Sequence, residues 1–374
     1  MTAPLKIAFL IPSVTAGGAE RVAATLCNQW AETGHAVSLM TFEAPGASPH
    51  YQIDEKVRVR PLDLLRQSRS MASFMAQNVR RVLRVRRELR ALSPDIVVSF
   101  MPEPNVVALL AGVGQAWSTV VSERVHPAYV RLGRAPALMR RLTYPLAAVV
   151  VAQTGVIAGY IERRFCVTTY VIPNPIDQAK FHPPAAASSG KRRRVLSAGR
   201  LDHQKGFDIL IEAFARVAAA EPLWDLWIFG EGGLKADLTR QIESLGLTER
   251  VRLAGVTTDM ASELQQADLY VHASRFEGFP NAVMEALACG CAVVAADCAG
   301  GVRELLQGQA FGRLVPVDDA TALASEMRNI MSDDQLREEM RAKAPQAVAP
   351  LVVEKIAGDW ISLFRRIRPS AGSR

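Results

Sequence analysis

The sequence is poor in cysteine and aromatic residues and has no long hydrophobic segment. None of its five cysteines forms a Cys-x-x-Cys pair, which argues against a disulfide framework or a zinc site. The apolar run at 146–152 is too short to cross a bilayer. The stretch 1–12 runs into a glycine pair without a cleavage site, so we interpret it as a first core strand, not a signal peptide. We therefore expect a cytoplasmic protein.

Two binding signatures are also missing. The segment Ala16-Gly17-Gly18-Ala19-Glu20 is not G-x-G-x-x-G and supports a dinucleotide cofactor only weakly. Aromatic residues are 6% of the chain, and no basic motif interleaved with aromatic residues indicates nucleic acid. Lysine and arginine still exceed the acidic residues, 44 to 37, for a net charge of +7. We expect an acidic partner, and a nucleotide or a phospholipid surface fits better than nucleic acid.

Short β-branched runs alternate with amphipathic helical stretches, which is typical of parallel sheets with crossover helices. The length suits two domains. Prolines, small residues and a basic run between 178 and 194 indicate a surface linker. We predict an α/β fold with Rossmann-like domains at 1–175 and 195–355, joined by a linker at 176–194. The predicted strands are 5–11, 36–42, 95–100, 119–122, 149–152, 170–172, 195–198, 226–229, 251–254, 269–272 and 292–296.

The most informative segment runs from Arg275 to Glu285. Glu277 lies in a Gly/Pro loop after a predicted strand, and Glu285 lies about one turn into the next helix, so both can face one ligand. Unpaired N–H groups at the helix start would attract an anion, and Pro280 suits that position because its missing N–H would be unpaired anyway. Two such glutamates could also be solvated surface residues. They could be a glycosidase pair, although such pairs normally come from separate strand ends.

A second segment, Gly199–Gly206, follows the strand predicted at 195–198. Ligands bind at the carboxyl ends of strands in an open parallel sheet. The Arg200 guanidinium and the Lys205 ammonium suit a diphosphate there. They would stabilise the charge that develops when a sugar–diphosphate bond breaks, without a metal. Carboxylates would then accept hydrogen bonds from ribose (Glu285) and from the sugar (Glu277).

Together the two segments resemble the motifs of family-four retaining glycosyltransferases. Glu277–Glu285 matches that family's E-x7-E motif, and Gly199–Gly206 matches its G-R-L-x-x-x-K-G motif. The resemblance covers nearly the whole chain. It implies a GT-B fold, in which two Rossmann-like domains face each other across a cleft that binds the donor, and a last helix at 356–368 that crosses back to the N-terminal acceptor domain. It also implies an NDP-sugar donor, same-face attack with retention, and no obligatory metal or other cofactor.

The resemblance also assigns roles to residues. Arg200 and Lys205 would grip the diphosphate, and with Glu277 on the donor sugar they form the expected catalytic group. Glu285 would hold the ribose. Further donor contacts would come from backbone at Gly17, Gly18, Gly230, Glu231, Gly278, Phe279, Pro280 and Asn281.

The loop after the strand at 119–122 departs from the family pattern. Many relatives carry a histidine there, near the point of transfer. In this chain Arg124 stands at that position and His126 follows two residues later. Arg124 could contact a phosphate on the acceptor. His126 could take the acceptor-side role or be an ordinary loop residue.

The helix predicted at 75–92 is the most basic in the chain. Its apolar face consists of Val82, Val85, Leu89 and Leu92. The opposite side carries a stripe of Arg80, Arg84 and Arg87, widened by Arg81, Arg86 and Arg90, with Glu88 as the single acid. Like charges at this spacing repel, and a second basic, partly apolar stretch follows at 131–144. We predict that this surface docks on an anionic inner leaflet or grips a polyprenyl pyrophosphate.

These features predict a retaining glycosyltransferase at the inner face of the cytoplasmic membrane. It would move a hexose or N-acetylhexosamine, preferably from a UDP-sugar, to a hydroxyl of a lipid-linked glycan. One alternative is a GT-B phosphorylase, hydrolase or epimerase, although a phosphorylase would want a lysine-linked cofactor or a further phosphate site. Another is a non-catalytic module that binds nucleotide sugars or membranes and keeps the same residues.

Overall fold

The computed structural model describes residues 3–15, 17–65, 71–129, 132–184 and 193–368, with side chains omitted at 71–75. Residues 185–192, which hold the small-residue run of the predicted linker and the start of its basic run, and Arg131 lie outside these ranges. Backbone contacts divide the chain into two units. Unit 1 is Met1–Pro175 with Val353–Arg374, and unit 2 is Ile176–Val352.

Unit 1 contains a parallel sheet in the order β3-β2-β1-β4-β5-β6-β7. Its first strand β1 lies in the interior of the sheet and pairs in parallel with both β2 and β4, so the strand order reverses there. The interior strands are buried on both faces, as expected when crossover helices cover a parallel sheet, whereas the two edge strands are partly exposed. Their bounds are β1 Lys6–Ile11, β2 Ala36–Thr41, β3 Arg58–Pro61, β4 Ile96–Phe100, β5 Ser118–Ser122, β6 Val149–Ala152 and β7 Thr169–Val171.

Most crossover helices of unit 1 use their apolar faces to build the core. Val85 and Leu89 of α2 pack with Ala8 and Leu10 of β1, and Val82 packs against the same cluster. The apolar face predicted for this helix is therefore confirmed. The helices are α1 Gly18–Glu32, α2 Met71–Leu92, α3 Pro102–Gly112, α4 Arg134–Thr143 and α5 Gly155–Phe165.

Unit 2 contains a second parallel sheet in the order β10-β9-β8-β11-β12-β13. The order reverses between β8 and β11, which are neighbours. Such a reversal opens a crevice at the carboxyl ends of the strands. The strands are β8 Arg193–Ala198, β9 Trp224–Phe229, β10 Val251–Gly255, β11 Leu269–His272, β12 Ala292–Ala296 and β13 Arg313–Val315.

The helices of unit 2 pack mainly through Leu, Ile, Phe and Met side chains. Phe214 of α6 and Met327 of α11 are fully buried beside Leu226 and Ile228 of β9. The helices are α6 Phe207–Ala218, α7 Lys235–Ser244, α8 Met260–Gln265, α9 Asn281–Ala288, α10 Val302–Leu305, α11 Ala320–Ser332 and α12 Asp334–Lys343.

The last helix, α13 (Val353–Ile367), belongs to unit 1. Its Phe364 ring lies 5.3 Å from the Trp30 ring of α1, centroid to centroid. The Trp30 indole N–H donates to the carbonyl of Ala357 at 3.2 Å. This contact satisfies the polar atom of a fully buried tryptophan.

The predicted fold class, two parallel α/β sheets, is confirmed. The strands predicted at 149–152, 269–272 and 292–296 have the observed bounds. Strand β8 begins at Arg193, two residues before the predicted start. Strands β3 and β13 escaped prediction because both are short, partly exposed edge strands without the buried pattern of a central strand. Strand β3 consists of two arginines, a valine and a proline.

Candidate active site

The predicted donor-binding segments meet at one edge of the unit 2 sheet. Arg200 follows β8 by two residues, and Lys205 directly precedes the glycine before α6. Glu277 lies in the loop between β11 and α9. Since β8 and β11 are adjacent, both segments lie where the strand order reverses. This is the position at which open α/β sheets bind ligands.

At the centre of this edge, Lys205 and Glu277 form a short ion pair. The Lys205 Nζ lies 2.6 Å from Glu277 Oε1, with the two side chains 18% and 8% exposed. Burial opposes ionisation of Glu277, but the nearby Lys205 and His272 more than offset it. The pKa of Glu277 is therefore held well below its usual range. A buried carboxylate is thus kept charged beside a cation.

His272 is a third member of this site that the sequence analysis missed. Its Nε2 lies 3.2 Å from Glu277 Oε1, and the residue is 2% exposed. Burial lowers the pKa of His272, although Glu277 pulls in the opposite direction, so the ring is neutral at neutral pH. The sequence did contain a signal for His272, because it is a histidine at the end of an otherwise apolar strand. It follows Tyr270 by two residues, which places both side chains on the same face of the sheet.

Two glycines allow the loops at this edge to approach each other closely. Gly206 has φ 63°, and a Cβ there would lie 2.1 Å from the carbonyl oxygen of Ala273. Gly230 has φ 141°, and a Cβ there would lie 1.9 Å from the carbonyl oxygen of Gly199. Any other residue would push the loops apart.

The Gly230–Glu231 loop joins the same edge through the backbone. The Leu201 amide donates to the Glu231 carbonyl at 2.9 Å, and the Gly230 amide donates to the Gly255 carbonyl at 2.7 Å. The Glu231 carboxylate forms an ion pair with Lys235 at 3.0 Å and is half exposed. The structure therefore places Gly230 and Glu231 beside the Arg200 segment.

Arg200 differs from Lys205 in being open to solvent. Its side chain is 71% exposed, and its Nε lies 2.8 Å from an Asp202 carboxylate oxygen. Surface ion pairs of this kind contribute little free energy and exchange readily. Arg200 can therefore turn to an incoming anion, whereas Lys205 is already fixed by Glu277.

The loop between Glu277 and Glu285 is braced by the segment after β12. The Glu277 amide donates to the Ala299 carbonyl at 2.9 Å, and the Gly301 amide donates to the Gly278 carbonyl at 3.0 Å. Phe279 is buried, Pro280 precedes the first residue of α9, Asn281, and Glu285 is buried one turn into this helix. The predicted position of Glu285 in the helix is confirmed. These contacts fix the loop against the sheet.

In unit 1, Arg124 lies beside the glycine loop that opens α1. Its guanidinium stacks on Phe100, with Cζ 4.1 Å from the ring centroid, and donates to Asn174 Oδ1. Glu20, in the first turn of α1 after Gly17 and Gly18, attracts the same guanidinium. The structure therefore brings Gly17, Gly18 and Arg124 to one place, and their substrate contacts stay predictions.

His126 has a different environment. It is buried, and its Nδ1 accepts a hydrogen bond from the Ala128 amide at 3.3 Å. Its ring packs against Tyr129 and Tyr160 at centroid distances of 5.3 and 5.0 Å. Burial lowers its pKa. His126 is thus packed within its loop, and the acceptor-side role of either Arg124 or His126 stays a prediction.

The arginines of α2 separate into two groups. Arg81 and Arg86 are structural: Arg81 pairs with Glu103 of α3, and Arg86 donates to the carbonyls of Leu110 and Ala111 at 2.7 and 3.1 Å. The predicted widening of the stripe by these two residues is therefore wrong. The outward group borders an open groove of about 790 Å³, lined by Leu62, Asp63, Leu64, Ala76, Val79, Arg80, Leu83, Arg84 and Arg87.

The described residues contain neither a cluster suited to a metal ion nor a helix suited to crossing a membrane. Nowhere in those ranges do three or more His, Cys, Asp or Glu side chains gather in a way that could hold a metal ion. Within the same ranges, every helix falls short of the length and apolar character needed to cross a membrane.

Comparison with known proteins places the whole chain in one family. Residues 16–180 match the family model described as Glycosyltransferase Family 4, and residues 178–347 match Glycosyl transferases group 1. A 4-alpha-N-acetylgalactosaminyltransferase of Campylobacter jejuni, acting on N-acetylgalactosamine-N,N'-diacetylbacillosaminyl-diphospho-undecaprenol, is 30% identical over 370 residues, covering 95% of this chain and 98% of the relative. The chain belongs to glycosyltransferase family 4.

Two further proteins are similar over nearly the full length. An alpha-1,4-N-acetyl-D-galactosaminyltransferase of Campylobacter jejuni, acting on GalNAc-alpha-(1->4)-GalNAc-alpha-(1->3)-diNAcBac-PP-undecaprenol, is 26% identical and covers 97% of this chain and 99% of its own. The structure of sucrose-phosphate synthase from Thermosynechococcus elongatus matches with a TM-score of 0.84 at 20% identity, covering 97% and 99%. The fold is GT-B. This family-4 protein is thus a glycosyltransferase of a retaining family, and it transfers sugar from a nucleotide-sugar donor.

Proposed function

We propose that this family-4 enzyme transfers an N-acetylhexosamine or a hexose from a UDP-sugar to a hydroxyl of a lipid-linked glycan, with retention. The observation that carries the proposal is the buried Lys205–Glu277 pair where the unit 2 strand order reverses, with Arg200 exposed beside it. The relatives whose names specify N-acetylgalactosamine transfer onto undecaprenyl-linked glycans support the sugar and acceptor classes.

Different residues of the site would bind the diphosphate, the sugar and the ribose, as the breaking of a sugar–diphosphate bond requires. The donor diphosphate would lie on Arg200, Lys205 and the N-terminus of α9, where positive charge and the helix dipole favour an anion. An ammonium has three donors, so Lys205 can hold Glu277 and still reach a phosphate oxygen. Glu277 would accept hydrogen bonds from the donor sugar, and the buried Glu285 would accept them from ribose.

In this arrangement the acceptor oxygen attacks the anomeric carbon from the face that the diphosphate leaves. The carbon–oxygen bond to the phosphate breaks while the new glycosidic bond forms. The acceptor's proton passes to an oxygen of the departing diphosphate. Arg200 and Lys205 stabilise the negative charge on that diphosphate, which is greatest in the transition state.

For the acceptor, we propose that the outward stripe of Arg80, Arg84 and Arg87 binds phosphate groups, either of anionic lipids or of a polyprenyl pyrophosphate. This places the enzyme at the inner face of the cytoplasmic membrane. Each arginine near an anionic surface contributes about 1 kcal/mol. The apolar residues of the adjacent groove, including Val79 and Leu83, suit a lipid chain better than they suit water.

Calorimetric titration with UDP, GDP and ADP and their sugar conjugates, with and without magnesium, tests the donor site. We expect one nucleotide, UDP, to bind with an affinity that magnesium does not change, and Arg200→Ala to weaken it about tenfold or more. Tight binding of GDP or ADP instead would refute the UDP assignment. If none of the nucleotides bound, the proposed donor site would be wrong.

Vesicle flotation tests the arginine stripe. The triple variant Arg80→Gln/Arg84→Gln/Arg87→Gln should bind phosphatidylglycerol vesicles less than the parent, and added salt should reduce the difference. The control Arg216→Gln/Arg240→Gln/Arg328→Gln removes the same charge from exposed sites in unit 2. Equal binding by both triple variants would contradict a specific surface. If the Arg80→Gln/Arg84→Gln/Arg87→Gln variant bound vesicles normally but lost transfer to a pyrophosphate-bearing acceptor in detergent, the stripe would bind the polyprenyl pyrophosphate and not the lipid surface.

A further inference from the structure

Helix α4 has its polar side facing the protein and its apolar side facing solvent. Its buried residues are Arg140 and Thr143. Leu138 is 56% exposed and Leu142 is 61% exposed, and Leu146, just beyond the helix, is 51% exposed. A surface helix of a globular domain normally shows the reverse arrangement. Single exposed leucines are common, but three at a spacing of four residues form a stripe.

A buried charge network fixes this orientation. Arg140 Nη1 lies 3.4 Å from Glu123 Oε1, and the Tyr144 hydroxyl donates to the same carboxylate oxygen. The Asn105 amide donates to the Tyr144 hydroxyl at 3.1 Å. Arg140 also stacks on Phe165, with Cζ 5.1 Å from the ring centroid. Rolling the leucines inward would break this pair and leave a buried charge without its partner, which is strongly destabilising.

The charges on α4 itself are of one sign. Arg134 and Arg141 are exposed on α4, and its sequence from Arg134 to Thr143 contains no aspartate or glutamate. An apolar face flanked by arginines, without acidic residues, complements an anionic lipid surface. It does not complement a protein surface of ordinary mixed charge.

We propose that α4 inserts Leu138, Leu142 and Leu146 into the interface of an anionic bilayer, with Arg134 and Arg141 at the level of the lipid phosphates. The inference rests on the proposed function in that the acceptor is membrane-borne. It adds a second contact of different chemistry, because the α2 stripe is charged whereas the α4 stripe is apolar. The anchor also has a consequence for the site. Glu123, which holds α4, directly precedes Arg124, so insertion fixes the height of the candidate acceptor-side arginine above the lipid.

The first experiment compares two double variants by flotation with phosphatidylcholine vesicles, with and without phosphatidylglycerol. Leu138→Gln/Leu142→Gln should weaken partitioning onto the anionic vesicles about tenfold, since glutamine keeps the size but not the apolar character. The control Leu223→Gln/Leu245→Gln changes two exposed leucines of unit 2 and should partition like the parent. Equal partitioning of both double variants would overturn the proposal.

A second experiment measures insertion directly. Cys166 is exposed, while Cys27, Cys289, Cys291 and Cys298 are buried, so a Cys166→Ser background leaves no exposed cysteine. Leu142→Cys in that background can carry an environment-sensitive dye. We expect a blue shift on anionic vesicles and quenching by lipids brominated on the acyl chain. Quenching by headgroup-labelled lipids alone would place α4 outside the bilayer and refute insertion.

Two readouts separate this proposal from the proposed function. If the parent transfers sugar to a water-soluble acceptor but the leucine variants bind vesicles normally, the α4 proposal fails and the transferase stands. If no nucleotide sugar is turned over but vesicle binding depends on the leucines, the transferase proposal fails and the α4 proposal stands.

A second copy of the chain is the other occupant that the leucine stripe could have. A lipid-free dimer that dissociates in Leu138→Gln/Leu142→Gln, with vesicle binding unchanged, would assign the stripe to that copy.

Discussion

The two units carry their charged residues in different ways. In unit 2 the decisive charges come from loops at strand ends, where Lys205 and Glu277 meet in a buried pair beside His272. In unit 1 many of the arginines lie on helices, where some brace the fold, as Arg86 and Arg140 do, and others face solvent. A motif at a strand end thus indicates chemistry, whereas a count of arginines along a helix mixes structural and surface roles.

The largest effect should come from Glu277→Gln. This change leaves Lys205 without its buried counter-charge and removes an acceptor for the donor sugar. We expect the transfer rate to fall about 10²–10³-fold, the loss typical of one preorganised electrostatic contact. The measurement is the single-turnover rate with saturating donor.

Glu212→Gln is the matched control for this prediction. It removes a carboxylate from a half-exposed pair with Arg216 on α6, and the rate should stay at the parent level. If Glu277→Gln bound nucleotide normally and transferred sugar at the parent rate, the buried Lys205–Glu277 pair would be structural. The charges at the strand ends of unit 2 would then have the same role as the bracing arginines of unit 1.

The next effect concerns stability in unit 1. Arg140→Met leaves Glu123 buried without its cation, and we expect the free energy of unfolding to fall by about 3 kcal/mol. Adding Glu123→Gln should recover part of the loss, because the remaining amide carries no charge. Chemical denaturation followed by circular dichroism measures both. A loss below about 0.5 kcal/mol for Arg140→Met, the level of a surface pair, would contradict the anchoring of α4.

Neighbouring arginines of α2 sharpen the distinction within one helix. Arg86 donates to the last carbonyls of α3, so Arg86→Ala should lower the free energy of unfolding by about 1–2 kcal/mol. Arg87 is 71% exposed, and Arg87→Ala should change it by less than about 0.5 kcal/mol. Similar losses in the two variants, measured by urea denaturation, would mean that the stripe is structural throughout.

The sequence predicted most of the strands and the donor segments because both are local patterns. The buried runs at β6, β11 and β12 and the spacing from Glu277 to Glu285 can be read without knowing the fold. The position of His272 under Glu277 required the three-dimensional path of the loop. The separation of Arg81 and Arg86 from Arg80 and Arg87 required knowing that α3 packs beside α2. The orientation of α4 was hidden because its inward anchor, Arg140, looks like any other member of a basic stretch.

The smallest expected effect is a change in the pH dependence of stability caused by His272. Burial lowers its folded pKa, so below the unfolded value of about 6.5 the unfolded chain takes up a proton that the folded chain does not. Stability is therefore lost as the pH falls through the unfolded pKa of this residue. His272→Gln keeps a donor near Glu277 and should flatten the curve of melting temperature against pH relative to the parent. The exposed His203→Gln should leave the curve unchanged. An identical slope in His272→Gln and the parent would mean that Glu277 keeps the imidazole protonated in the folded state. The Glu277 carboxylate would then face two buried cations, Lys205 and the imidazolium of His272, and not Lys205 alone.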